Sequence, residues 1–174
     1  MIRKLNLNDI TELQKLCTKT FYDAYGYANT KENMDNYVLH FFSIEVLKDE
    51  IISSTIEYYG WFEQHTLIGY CKLQKGIDEN QNKKNASVEL ARFYVLNTKQ
   101  SNGIGKKMLH HIFSVLCNMR FEVIWLTVWQ ENKRAIHFYE NNGFICSGTT
   151  TFMLGSELNY DFIYKIKLST ISIN

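Results

Sequence analysis

Residues 100–107 read Gln-Ser-Asn-Gly-Ile-Gly-Lys-Lys and lie between a run that favours a strand and a run with the period of a helix. At a helix start the first backbone N–H groups lack partners within the helix, and the dipole there is positive. Gly103 and Gly105 place no side chain between the main chain and a ligand. The amides of Gln100, Ser101, Asn102, Gly103, Ile104, Gly105 and Lys106 therefore suit a phosphate, with Lys99, Lys106 and Lys107 adding positive charge. Two glycines alone could equally make a tight turn. Position 108 is Met and no Walker sequence follows, so the loop is neither a dinucleotide fingerprint nor an ATP loop.

Further along, Asn132, Ala135, Phe138, Tyr139, Gly143 and Phe144 form N-x-x-A-x-x-F-Y-x-x-x-G-F. Asn132 can begin a helix, and Ala135 and Tyr139, four apart, present a small side chain and a phenol on one side of it.

The elements that must carry these groups follow from periodicity. A strand at Ile2 to Leu5 precedes a helix capped by Asn8 or Asp9, with apolar residues at Ile10, Leu13, Leu16, Cys17 and Phe21 and an end near Gly26. Lys31 to Phe41 and a stretch opened by Ser43 continue the helical part. Glu57 to Phe62 and Leu67 to Leu73 read as a hairpin, and Gly76 to Asn85 as a polar loop. Ser87 to Leu96 is a strong strand, followed by a helix through Met108 to Cys117 and a buried parallel-type strand at Val123 to Val128. A helix at Asn132 to Glu140 and strands at Phe144 to Phe152 and Asn159 to Leu168 complete an α/β (α+β) order without a linker or repeat. A strand, crossover helix and parallel strand place ligands at the strands' carboxyl ends.

The Q-x-x-G-x-G loop after ELARFYVL, followed by N-x-x-A-x-x-F-Y-x-x-x-G-F, resembles the GCN5-related N-acetyltransferase (GNAT) family. The tight match covers about Ser87 to Phe144. The resemblance implies a single domain over 1–174, with a mixed sheet of about seven strands splayed between the fourth and fifth. It implies acetyl-CoA as donor, its pyrophosphate on the amides of Gln100 to Gly105. The pantetheine arm would run along Phe93, Tyr94 and Val95, with Asn132, Ala135 and Phe138 nearby. Members of the family often carry Arg where Gln100 stands, which predicts weaker affinity here. TFYDAYGYANTKENMDNY and TFMLGSELNYD resemble the PaiA-like branch, which acetylates polyamines and other primary amines.

Direct transfer, through a tetrahedral intermediate, needs a neutral amine. An alkylamine with a pKa near that of Lys is neutral in only about one part in a thousand at pH 7, so a proton acceptor is required. Glu89 is the carboxylate on the central strand, expected on the face of Ala91 and Phe93, acting directly or through water. A surface ion pair with Arg92 or a lysine is the plainer reading. The resemblance makes Tyr139 the acid for the departing thiolate, against a plain core tyrosine. A main-chain N–H near Tyr94 or Val95 could receive the oxyanion. Tyr22, Asp23, Tyr25, Tyr27, Glu32 and Asp35 form an acidic, aromatic cluster that would suit a cationic acceptor, or else core tyrosines and a solvated acidic face. His137 should project elsewhere, and the other histidines show no partner.

At 174 residues with 45% hydrophobic and 14% aromatic content, the chain can bury a core without staples. Nineteen basic against eighteen acidic residues give a net +1, which supplies no field for nucleic acid. No apolar run is long enough for a membrane span or a signal peptide, so a cytoplasmic protein is expected. Cys17, Cys71, Cys117 and Cys146 are scattered, read as small buried hydrophobes, and lack metal-ligand spacing. No metal is expected. No nucleophile elbow occurs, so hydrolysis through Ser or Cys finds no support. The acceptor is read as a small amine or polyamine. Alternatives are a peptide or protein amine, or a non-catalytic module that senses acetyl-CoA. A homodimer is compatible with the sequence.

Overall fold

The structure is a computed structural model that describes residues 1–76, 87–155 and 157–171. Strand β1 (Ile2–Lys4) leads into helices α1 (Ile10–Tyr25), α2 (Lys31–Phe41) and α3 (Ile44–Ile52). A hairpin of β2 (Ile56–Glu63) and β3 (Thr66–Lys75) follows. Then come β4 (Ser87–Val95), α4 (Ile104–Asn118), β5 (Val123–Trp129), α5 (Lys133–Asn141), β6 (Ile145–Leu154) and β7 (Glu157–Lys167). The seven strands make one sheet ordered β1-β2-β3-β4-β5-β7-β6, in which only β4 and β5 pair in parallel. Of the polar loop read at Gly76 to Asn85, all but Gly76 lies outside the described residues.

Local chemistry accounts for the element ends. The hairpin turn uses Gln64 and His65, both at positive φ (46° and 74°), the two-residue geometry whose twist matches the strands. Thr30 and Ser43 cap α2 and α3 by accepting from the amides of Asn33 and Val46. At α1 the N-cap position is Asp9, one of the two expected, but it makes no side-chain cap bond; the side-chain cap is made by Asn6 on the 3-10 turn before it. The Asn6 side chain accepts from the Asn8 amide, and the Asp9 carboxylate reaches back to the Asn6 amide at 2.9 Å. Asp9 also receives both guanidinium arms of Arg3, at 2.7 and 2.8 Å. That capping box therefore belongs to a short 3-10 turn, Leu7–Asp9, which leads directly into the helix.

Helices α1 to α3 cover one face of the sheet, burying Leu13, Leu16, Met34 and Leu47 against Tyr58 and Tyr70. Helices α4 and α5 cover the other, with Leu109, Phe113 and Tyr139 against Leu90, Ile124 and Leu126. Each such side chain contributes roughly 1.5–3 kcal/mol by leaving water. Cys17 and Cys71 are buried as read, whereas Cys117 is half-buried and Cys146 is exposed on the edge strand β6.

Two features of β4 decide the site. Lys72 lies opposite Arg92 and Leu73 opposite Leu90, so Ala91 is an extra residue, a bulge. Before it, Val88 and Leu90 face α4; after it, Phe93 and Val95 do. The second feature is the length of the β4–β5 pairing, only Ser87 to Val123, Val88 to Ile124 and Glu89 to Trp125. Beyond Glu89 the two strands splay apart.

Candidate active site

The cleft opened by that splay is lined by Leu90 to Tyr94 on one side and Thr127 to Trp129 on the other. Asn132, Ala135 and Tyr139 reach in from α5, Tyr25 and Tyr37 from the helical layer, and Asn159 and Asp161 from β7. The Leu96 amide bonds to the Ile68 carbonyl of β3, so by strand alternation the amides of Phe93 and Val95 turn toward the gap. The Val95 carbonyl, on that same side, accepts from Gln100 Nε2 at 2.8 Å. Gln100 thus ties the following loop to the end of β4 through its side chain.

In that loop, the amides of Ser101 to Lys106 have no acceptor among the described residues; the first helical bond runs from Lys107 to Gly103. Gly103 sits at φ 72°, where a Cβ would meet nothing within 4 Å; its glycine is needed for the backbone conformation. Gly105 lies against a neighbouring helix. A Cβ there would meet the ring of Phe138 at 3.4 Å, an ordinary van der Waals contact, so α4 passes close to α5 at this point. Phe138 in turn stacks on Phe93 with ring centroids 5.8 Å apart. Arg134, which the sequence reading missed, donates to Ser101 Oγ at 3.1 Å and brings a cation to the loop. An exposed Arg beside a loop in another part of the chain gives no sequence signal. These residues fit a diphosphate: six free amides at a helix start, a left-handed glycine and a neighbouring guanidinium.

On α5 the Asn132 side chain accepts from the Ala135 amide at 3.1 Å and starts the helix. Tyr139 is buried, its ring edge-on to Phe138 and Phe144, and its hydroxyl has no hydrogen-bond partner among the described residues. Burial pushes its phenol well above the ordinary tyrosine range, helped by Tyr94 and Cys71. His137 is exposed.

The bulge overturns one expectation. Glu89 does not share a face with Phe93; the extra residue puts it with Arg92 and Tyr94, on the side of the helical layer. It is the last β4 residue paired with β5, half-buried, and it is not among the residues lining the cleft. Burial raises its carboxyl pKa, with Lys72 pulling the other way. Arg92 is not its partner. Arg92 bonds to the Tyr58 hydroxyl at 2.6 Å and to Glu50 at 3.2 Å, lies 4.7 Å over the Phe42 ring, and Glu50 also holds Lys72 and Tyr58.

The acidic cluster read from the sequence is divided. Asp23 pairs with Lys19 at 3.2 Å, Asp35 with Lys31 and with the Tyr22 hydroxyl, and Glu32 is exposed. None of Tyr22, Asp23, Glu32 and Asp35 lines the cleft. Tyr27 leans its exposed ring on Trp129, centroids 5.9 Å apart, and Tyr25 lies 5.8 Å from the same indole. Tyr25 enters the cleft, its phenol 3.5 Å from that of Tyr94. The carboxylate that does line the cleft is Asp161, at the end of the TFMLGSELNYD segment, where no local pattern marks it. Only the β5–β7 register, pairing Asp161 with Trp129, brings it there.

A profile of the acetyltransferase (GNAT) family matches residues 9–144. The chain belongs to this family. It is 26% identical over 164 residues to an uncharacterized N-acetyltransferase of Lactobacillus delbrueckii subsp. lactis, covering 94% of this chain and 95% of that one. It is 27% identical over 147 residues to a spermidine N(1)-acetyltransferase of Thermoplasma acidophilum, covering 82% and 86% of the two chains. Its fold superposes with a TM-score of 0.81, at 26% identity and over 96% of this chain and 98% of that one, on the crystal structure of the PaiA N-acetyltransferase from Thermoplasma acidophilum in complex with coenzyme A. This GNAT protein is therefore an acetyl-CoA-dependent N-acetyltransferase with the splayed seven-stranded fold that its motifs implied. No helix among its described residues is long and apolar enough to cross a membrane.

Proposed function

We propose that this GNAT enzyme acetylates a small cationic amine of the polyamine kind. The observation that carries the reading is the cleft itself, which joins the gap between β4 and β5 to an enclosure of Tyr25, Tyr94 and Trp129 with one buried carboxylate. Aromatic faces and a carboxylate attract an ammonium. The similarity to a spermidine N(1)-acetyltransferase supports the same acceptor class.

In this reading, the amides of Ser101 to Lys106 and the Arg134 guanidinium hold the donor's diphosphate, with Gln100 ordering the loop. Acetyl-CoA supplies the activated acyl carbon. The amides of Phe93 and Val95 face the gap and can stabilise an oxyanion there. Glu89, at the apex of the splay, takes the amine's proton through water, because it lies outside the cleft lining. The N–C bond forms first, placing charge on that oxyanion; its collapse then breaks the C–S bond, and the Tyr139 hydroxyl, kept protonated by burial, donates to the departing thiolate.

The test is an amine panel with free-thiol detection, comparing spermine, spermidine, diamines, lysine, amino sugars and short peptides. Thiol release with the polyamines and diamines is the expected result. Release with peptides alone would transfer the assignment to a protein amine, and donor binding without release would make the protein a sensor.

A further inference from the structure

Asp161 is 9% exposed, and its Oδ1 is fully buried with no hydrogen-bond partner among the described residues. A buried carboxylate oxygen left without a donor is costly and calls for an explanation. The residue is buried in the fold yet lines the cleft. It is paired across the sheet with Trp129, whose indole carries Tyr25 and Tyr27. The groups that bear on it are Thr127 from the adjacent strand and Tyr25 from α1, and no Lys or Arg among the described residues forms an ion pair with it. Trp129 lies four residues beyond Trp125, the partner of Glu89 at the apex, which is about 13 Å along β5 at the usual strand rise.

We propose that Asp161 receives a second ammonium of the acceptor, remote from the amine that is acetylated, and so selects di- and polyamines over monoamines. This rests on the amine-acetyltransferase reading above and adds the length and charge pattern of the acceptor. The carboxylate supplies the negative charge, and Tyr25 and Trp129 supply aromatic faces for the flanking methylenes and the cation. An extended aliphatic diamine can span from the apex to this point, whereas a monoamine leaves the carboxylate unpaired. Asp161 touches the acceptor without touching the reacting atoms and is a specificity residue.

The experiment compares wild type with Asp161→Asn on alkyl monoamines and on α,ω-diamines of increasing length. The expected result is a KM for the longer diamines raised on the order of 10- to 100-fold, with kcat and the monoamine KM little changed. Coenzyme A affinity, read by calorimetry, should be the same in both proteins. The variant's Tm in the absence of ligand should hold or rise, since an isosteric amide replaces a buried charge that Thr127 supports and no cation among the described residues offsets. Equal losses on monoamines and diamines, unchanged diamine KM, weakened coenzyme A binding or a Tm lowered by several degrees would each overturn the proposal. Should wild type acetylate no amine, the functional reading fails by itself. Calorimetry of a diamine into the coenzyme A complex then decides Asp161 separately: binding lost in Asp161→Asn sustains the site, and absent binding to wild type removes it.

Discussion

The Gln100 side chain is spent on the Val95 carbonyl, 2.8 Å away, at the point where β4 ends and the cradle loop begins. A residue that could have faced the donor instead holds the loop against the strand that flanks the cleft. The loop's anion-binding capacity is therefore carried by its backbone amides and by Arg134 from α5.

Gly103 tests that capacity. A Gly103→Ala substitution meets no atom but must adopt φ 72°, and is expected to cost about 1 kcal/mol of stability. Gly103→Glu adds a carboxylate beside the free amides and should abolish acetyl-CoA binding. Denaturant melts and calorimetry read the two effects, and retained affinity in Gly103→Glu would remove the diphosphate from this loop.

Tyr139→Phe keeps the ring that packs on Phe138 and Phe144 and removes only the hydroxyl. We expect kcat to fall by on the order of 100-fold with donor affinity unchanged. Because burial holds the phenol well above its ordinary range, an alkaline limb in the wild-type rate below about pH 10 belongs to another group. Equal losses in affinity and turnover would make Tyr139 a packing residue.

Glu89 should govern the acid limb of the rate profile. Its carboxyl is raised by burial, and the base form is the ionised one, so activity falls as pH drops through that raised value. In Glu89→Gln the limb should disappear along with most of the turnover. A variant whose profile and rate match wild type would remove Glu89 from the chemistry.

Glu50 is a stability residue. Burial pushes its carboxyl up, but Arg92, Lys72 and Tyr58 outweigh this and hold it below the ordinary range. A depressed folded-state pKa means that its contribution is present above the unfolded value, about 4.3, and is lost as pH falls through the folded one. Glu50→Gln leaves Lys72 and Arg92 buried without their carboxylate, at an expected cost of roughly 3–5 kcal/mol. Denaturant unfolding at pH 7 checks the loss, and a change below about 1 kcal/mol would refute it.

Short-range chemistry made much of this protein legible in its residues. The periods of Ile10 to Phe21 and Met108 to Cys117, the strand run of Ser87 to Leu96, and the Gly-containing loop before a helix all depend on neighbours in the chain. So do the start of α5 at Asn132 and the placement of Ala135 and Tyr139 on one side of it. Long-range register decided the rest. The bulge at Ala91 reversed the face of Glu89, because an unpaired residue shifts strand alternation by one and only the partner strand reveals it. Two of the acids near the start of the chain, Asp23 and Asp35, pair with lysines one helical turn away, Lys19 and Lys31, and lie outside the cleft. Asp161 reached the cleft through pairing with Trp129, a contact between distant segments that no local pattern encodes. Helix faces and caps are settled within a few residues of chain, whereas the side chains that meet across a splayed sheet are chosen by which strands pair and where that pairing stops.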